Sequence, residues 1–369
     1  MSCNVMKFKE KINREKHKTE NMRQAILTEP KHIEIKTDVK APEARDLKPN
    51  EVLINIKRIG ICGSEIHSYH GLHPATKYPV VQGHEFSAVV VATGSDVKSC
   101  KPGDKVTASP QEVCGKCGPC RRGQYNVCEN LRVEAFQADG VAQDYFVTTD
   151  ERIVVLPEGM SFDDGAMMEP CAVGAHASIR TDVAGKNVVV SGAGTIGNLV
   201  AQFCKARGAR KVLITDISDL RLSKARECGI EYTANVAVTP LKEALKEVFG
   251  DEGYQVGFEV AGVESSIRSL METIEKGSDI VIVAVFSKDP ALSMFYLGEH
   301  ELQLIGSMMY RHEDYETAVD FVNRGIVDLK PLVSNRFPFE RYDDAYRFID
   351  DNRDTSMKVI IDLDNNTNC

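Results

Sequence analysis

Val188-Val189-Val190-Ser191-Gly192-Ala193-Gly194-Thr195-Ile196-Gly197 is the stretch that decides the fold. Three consecutive β-branched residues read as a buried strand. Glycines at 192, 194 and 197 complete a G-x-G-x-x-G turn, and Leu199, Val200 and Phe203 continue as a helix as far as Gly208. Strand, glycine turn and helix predict a nucleotide-binding βαβ unit, in which the backbone approaches a pyrophosphate at a helix N-terminus. The next predicted strand, Val212-Leu213-Ile214-Thr215, ends on Asp216. A carboxylate there accepts hydrogen bonds from the adenosine ribose hydroxyls and repels a 2′-phosphate, so NAD is expected over NADP. Arg221, five residues on, pulls the other way. The plainer alternative is an ordinary glycine turn followed by a solvated aspartate. The candidate cofactor residues are Gly192, Gly194, Thr195, Ile196, Gly197, Asp216 and Arg221.

Downstream, apolar strands are expected near 256–260 and 280–285, separated by helices ending near Gly250 and Gly277. Repeated β-α-β units with apolar strands imply an α/β fold: a Rossmann-type, doubly wound parallel sheet over 176–308. Upstream the texture differs. From residue 22 to about 157 short strands alternate with turns, as in Glu51-Val52-Leu53-Ile54-Asn55-Ile56-Lys57 and Phe86-Ser87-Ala88-Val89-Val90-Val91-Ala92. That is a β-rich domain, expected over 22–175. Ser161 with Asp164 reads as the cap of one helix running toward Arg180. After residue 309 an amphipathic helix and two short strands are expected to return over 309–369 to the first domain. Residues 1–21, rich in Lys and Glu without an apolar core, read as a disordered extension rather than a secretory signal.

Inside the β-rich domain, Cys114, Cys117, Cys120 and Cys128 are spaced C-x2-C-x2-C-x7-C within a lobe at 110–130. Four thiolates at that spacing suit a closed, tetrahedral, structural zinc. Cys3, Cys100, Cys171, Cys204, Cys228 and Cys369 are scattered singly, so a disulfide framework is not expected; reduced thiols suit a cytoplasmic location. A net charge of −9 argues against a general nucleic-acid binder. No apolar run reaches the length of a membrane-spanning helix. Cys62, His84 and Glu85 combine a thiolate, an imidazole and a carboxylate, which together leave one tetrahedral position open. Glu169 lies among apolar neighbours (Met167, Met168, Cys171, Ala172), where a buried carboxylate needs a cation or a donor.

Gly83-His84-Glu85, Ile61-Cys62-Gly63-Ser64, the cysteine lobe and Gly-Ala-Gly-Thr-Ile-Gly stand in the order found in zinc-dependent medium-chain alcohol/polyol dehydrogenases. The resemblance covers about residues 22–365. Glu169-Pro170-Cys171-Ala172-Val173-Gly174 and Thr215-Asp216-Ile217-Ser218 resemble the sorbitol (L-iditol) dehydrogenase branch. The resemblance implies a GroES-like fold for the β-rich domain and a catalytic zinc on Cys62, His84 and either Glu85 or Glu169. It also implies a structural zinc in the lobe, about two zinc per chain, and a homo-oligomer, most often a tetramer. Ser64 and His67 are placed for a proton relay, Glu169 and Tyr310 for catalytic roles, and Val283, Val285 and Met309 against the cofactor. The reaction implied is hydride transfer from a secondary hydroxyl of a polyol, diol or sugar-derived alcohol to NAD. Met309 precedes Tyr310 where the sorbitol pattern carries an Arg, and Tyr310-Arg311-His312 looks more like butanediol dehydrogenases. L-threonine 3-dehydrogenase, butanediol dehydrogenase and, from another class, a non-catalytic NAD(H)-binding protein are the alternatives. His70, His73 and His312 receive no task.

Overall fold

A computed structural model of the chain describes residues 21–364. The extension expected at 1–21 lies outside the described residues, except Asn21, which opens the strand Asn21–Glu29. Six parallel strands form one sheet in the order Tyr232–Asn235, Lys211–Asp216, Asn187–Ser191, Val256–Glu259, Asp279–Ile282, Gln303–Gly306. Val188 and Val190 pack on one face with Val200, Cys204 and Ile214, while Val189 packs on the other with Leu213, Ile267 and Leu270. Alternate side chains of one strand thus enter two separate cores, which is why the strand is apolar throughout. Among the described residues all nine cysteines are free, and no helix is long and apolar enough to cross a membrane.

The first part of the chain and its last strand share a mixed, mainly antiparallel sheet. Glu51–Gly60 pairs with Glu85–Thr93, with Tyr145–Thr149 and with Lys358–Asp362. The register sets Gly60 beside both Glu85 and Ile360. Three strand ends therefore meet where Cys62 follows one strand, His84 precedes the next, and Lys358 opens the third.

Three expectations need correction. The single helix from Ser161 is two, Phe162–Ala166 and Met168–Ser178. Ser161 caps the first by accepting from Asp164 N at 3.0 Å, but Pro170 has no N–H to give the Ala166 carbonyl, so the ladder breaks there. The strand expected at 280–285 ends at Ile282. Between the closing strands Val333–Pro338 and Lys358–Asp362 stands an unanticipated helix, Tyr342–Asp351. Those strands are parallel, and a parallel pair needs such a crossover.

Candidate active site

The lobe is closed at its neck by Gln111–Glu112 pairing with Arg132–Val133. Within it the four sulfurs of Cys114, Cys117, Cys120 and Cys128 lie within 4.8 Å of one another. Backbone amides point at them: Cys114 N and Asn130 N each donate to Cys128 Sγ at 3.3 Å. Amides of Lys116 and Cys117 bring the Cys114 thiol down to about 6, whereas burial and its sulfur neighbours push Cys120 up to about 12. Crowded thiols with amide donors hold four anionic sulfurs only around a cation, and zinc suits that donor set. The lobe also docks on the chain beyond the parallel sheet, since Asn126 Nδ2 donates to Met308 O at 2.9 Å and His312 N to Tyr125 Oη at 2.7 Å.

A cleft of about 920 Å³ runs between the lobe, the strand ends around Cys62 and the C-terminal ends of the parallel strands. Cys62, Ser64, His84, Glu85, Glu169, Ile196, Val283, Val285 and Met309 all line it. Open α/β sheets bind ligands at the carboxyl ends of their strands, which is where Val283 and Val285 lie, just past Ile282. Gly192 adopts φ +106°, and a Cβ on Gly197 would come within 1.8 Å of the Gly192 carbonyl. The turn therefore requires glycine at both positions. Gly194 and Thr195 carry it into the helix Thr195–Ala206. Asp216, buried at the end of its strand, accepts from the amides of Ala193 at 2.7 Å, Ile217 at 2.8 Å and Ser218 at 2.9 Å. Arg221 stands 3.8 Å from it.

Donor atoms of Cys62, His84 and Glu85 lie within 4.8 Å of one another. Cys62 caps the helix Gly63–Tyr69, and Ser64 Oγ donates to its sulfur at 3.1 Å. Glu65, fully buried, accepts from His84 Nδ1 at 3.2 Å, from Gly83 N at 2.6 Å and from Cys62 N at 3.0 Å. Burial opposes its charge, yet His84 and these amides hold its carboxyl below the usual range. Lys358, also buried, pairs with Glu85 and donates to Ile61 O at 3.1 Å. Glu169 is not in that trio but accepts from Tyr310 Oη at 2.6 Å; burial first, then Glu85, raises its carboxyl to about 7. His84 is raised well above its ordinary value, Glu65 and Cys62 overcoming its burial. A buried pocket so rich in anionic groups draws a proton onto an imidazole, and a soft divalent cation is the natural replacement.

Two expected residues stand apart from the rest. His67 is exposed on its helix and does not line the cleft, and Tyr310, buried, reaches the site through Glu169. Sequence reasoning missed Glu65 and Lys358. Glu65 stands three residues after Cys62, and Lys358 is a lone cation opening an apolar strand, Val359-Ile360-Ile361. Both were visible signals. It also passed over the cleft-lining His176, whose Nδ1 meets Asp314 Oδ2 at 2.8 Å.

Residues 48–158 match the alcohol dehydrogenase GroES-like domain and residues 195–324 the zinc-binding dehydrogenase domain. The sorbitol dehydrogenase of Bacillus subtilis (strain 168) is 30% identical over 93% of this chain and 97% of its own. An L-threonine 3-dehydrogenase of Proteus mirabilis is 31% identical over 88% and 95%. The crystal structure of galactitol-1-phosphate dehydrogenase from Escherichia coli superposes with a TM-score of 0.85 at 30% identity, covering 92% of this chain and all of that one. Two domain matches in series and relatives aligned over nearly their whole length lead to one conclusion: this chain belongs to the zinc-dependent medium-chain polyol dehydrogenases and is an oxidoreductase.

Proposed function

We propose that the protein oxidises a secondary hydroxyl of a polyol, vicinal diol or sugar-derived alcohol to a ketone, with NAD as hydride acceptor. One observation carries this reading: the donors of Cys62, His84 and Glu85 share a single cleft with Ile196 of the glycine turn. Cys62, His84 and Glu85 would hold the catalytic zinc, and Cys114, Cys117, Cys120 and Cys128 the structural one, about two ions per chain. Zinc, when bound in the cleft, supplies Lewis acidity that lowers the pKa of a substrate hydroxyl.

The protein's own groups do the rest. Glu65 holds Nδ1 of His84, which leaves Nε2 as the nitrogen that would bind the ion. Lys358 balances the charge of Glu85. Tyr310 holds Glu169, which lines the same cleft and would be the alternative carboxylate ligand to Glu85. Ser64 Oγ takes the hydroxyl proton as it passes its own on through the nicotinamide ribose, and exposed His67 receives it there and releases it to solvent. Asp216 receives the adenosine ribose and disfavours a 2′-phosphate. Reduced thiols suit a cytoplasmic location, and the protein works as a homo-oligomer, a tetramer by family analogy. A non-catalytic NAD(H) binder would have lost ligands that here all remain.

NADH absorbance over a panel of polyols, 2,3-butanediol, sugar acids and L-threonine tests the reading. Rapid NAD-dependent oxidation of a polyol or diol is expected. Preference for L-threonine, or for NADP, would replace it.

A further inference from the structure

His73 stands on the loop after the helix Gly63–Tyr69 and lines the cleft. Its ring stacks on Phe136, centroids 4.4 Å apart and planes inclined by 24°. Phe136 in turn lies 5.3 Å from the ring of His84. His73 is therefore one ring removed from a metal-binding imidazole. Its Nδ1 is 3.0 Å from Thr76 Oγ1, which is 2.7 Å from Oγ of buried Ser68. Protons can run either way along that chain, and in both arrangements Nδ1 is used. Nε2 has no partner among the described residues.

Several of the other polar side chains lining the cleft are already engaged, while Ser307 Oγ, farther along the wall, is buried without a partner among the described residues. Asn126 Nδ2 donates to Met308 O at 2.9 Å, and Gln137 Oε1 accepts from Val133 N at 2.9 Å. Glu169 is held by Tyr310 and Glu85 by Lys358. Pro74, Ala75, Val127 and Leu131 are apolar, and Met309 offers only a thioether. A substrate bearing hydroxyls on adjacent carbons needs a donor or acceptor next to the reacting centre, or its second hydroxyl is desolvated without a partner.

We propose that His73 is a specificity-determining residue: its Nε2 hydrogen-bonds the hydroxyl on the carbon adjacent to the one oxidised, selecting vicinal diols and polyols over simple secondary alcohols. The inference rests on the proposed function, in which Cys62 and His84 mark the reacting oxygen. Phe136 fixes the plane of the ring and Thr76 its rotation, so the contact is preorganised.

The test compares 2,3-butanediol and D-sorbitol with 2-butanol, which lacks the second hydroxyl. His73→Phe keeps the stack and loses the nitrogens; His73→Ala loses both; His73→Gln returns a polar group. Removing one hydrogen bond of this kind is expected to lower kcat/KM for the diol and polyol about 10-fold, mainly through KM. Turnover of 2-butanol should stay within about twofold, which also reports an intact fold, and His73→Gln should recover part of the loss. Equal losses on all three substrates, or an unchanged diol, would overturn the assignment. Failure of the proposed function looks different, because the unmodified enzyme would then oxidise none of them.

Discussion

The two candidate metal sites differ in how the chain builds them. The lobe gathers four sulfurs from one short segment closed by a two-stranded neck. The cleft site takes a thiol after one strand, an imidazole just before another and a carboxylate that opens it, and a balancing lysine from the far end of the chain. The lobe site needs only local spacing and ends fully enclosed by thiolates. The cleft site depends on sheet register and keeps one side toward an open volume. A closed site holds structure, and an open one can hold a reactant. The lobe also serves the cleft, because Asn126, Val127 and Leu131 form part of its wall.

Separating the two sites by mutation should give opposite signatures. Cys62→Ala should lower turnover by about a thousandfold or more, remove one zinc, and leave thermal unfolding and NADH binding nearly unchanged. Cys117→Ser combined with Cys120→Ser should instead lower the unfolding midpoint by about 10 °C or more. Steady-state kinetics, metal analysis and calorimetry on both variants check the pair. The contrast fails if Cys62→Ala unfolds the protein or the lobe variant leaves its stability untouched. A smaller effect sharpens the cleft side. Glu65→Gln keeps the shape but weakens the hold on His84, so zinc affinity at that site should fall about 10- to 100-fold in chelator competition, with lobe zinc unaffected. Unchanged affinity would reduce Glu65 to a helix cap.

The parts legible in the sequence are those written in contiguous residues. The C-x2-C-x2-C-x7-C spacing and the strand–glycine–helix run each sit in one segment: the four sulfurs cluster, and the strand and helix stand where the apolar pattern places them. The helix break at Met167 was equally local, since Pro170 announces it. The helix Tyr342–Asp351 was legible too, its buried Tyr342, Ala345 and Tyr346 following a 3.6-residue period. What could not be read is pairing across distance. Glu85 stands beside Lys358 only because strands separated by most of the chain both flank Glu51–Gly60. Whether Glu85 or Glu169 stands with Cys62 and His84 depends on how a helix packs against the strand ends, and the structure groups Glu85 with them while Tyr310 holds Glu169. His73 carried no motif, and its place follows from one ring stack and one threonine.

Zinc K-edge X-ray absorption on the purified protein tests most directly whether one chain carries two ions in unlike surroundings. Five thiolates shared by two ions predict a mixed shell averaging about 2.5 sulfurs per zinc, rising to about 4 in Cys62→Ala as its zinc count falls from two to one. A single zinc with four sulfurs in the active, unmodified enzyme would contradict the account.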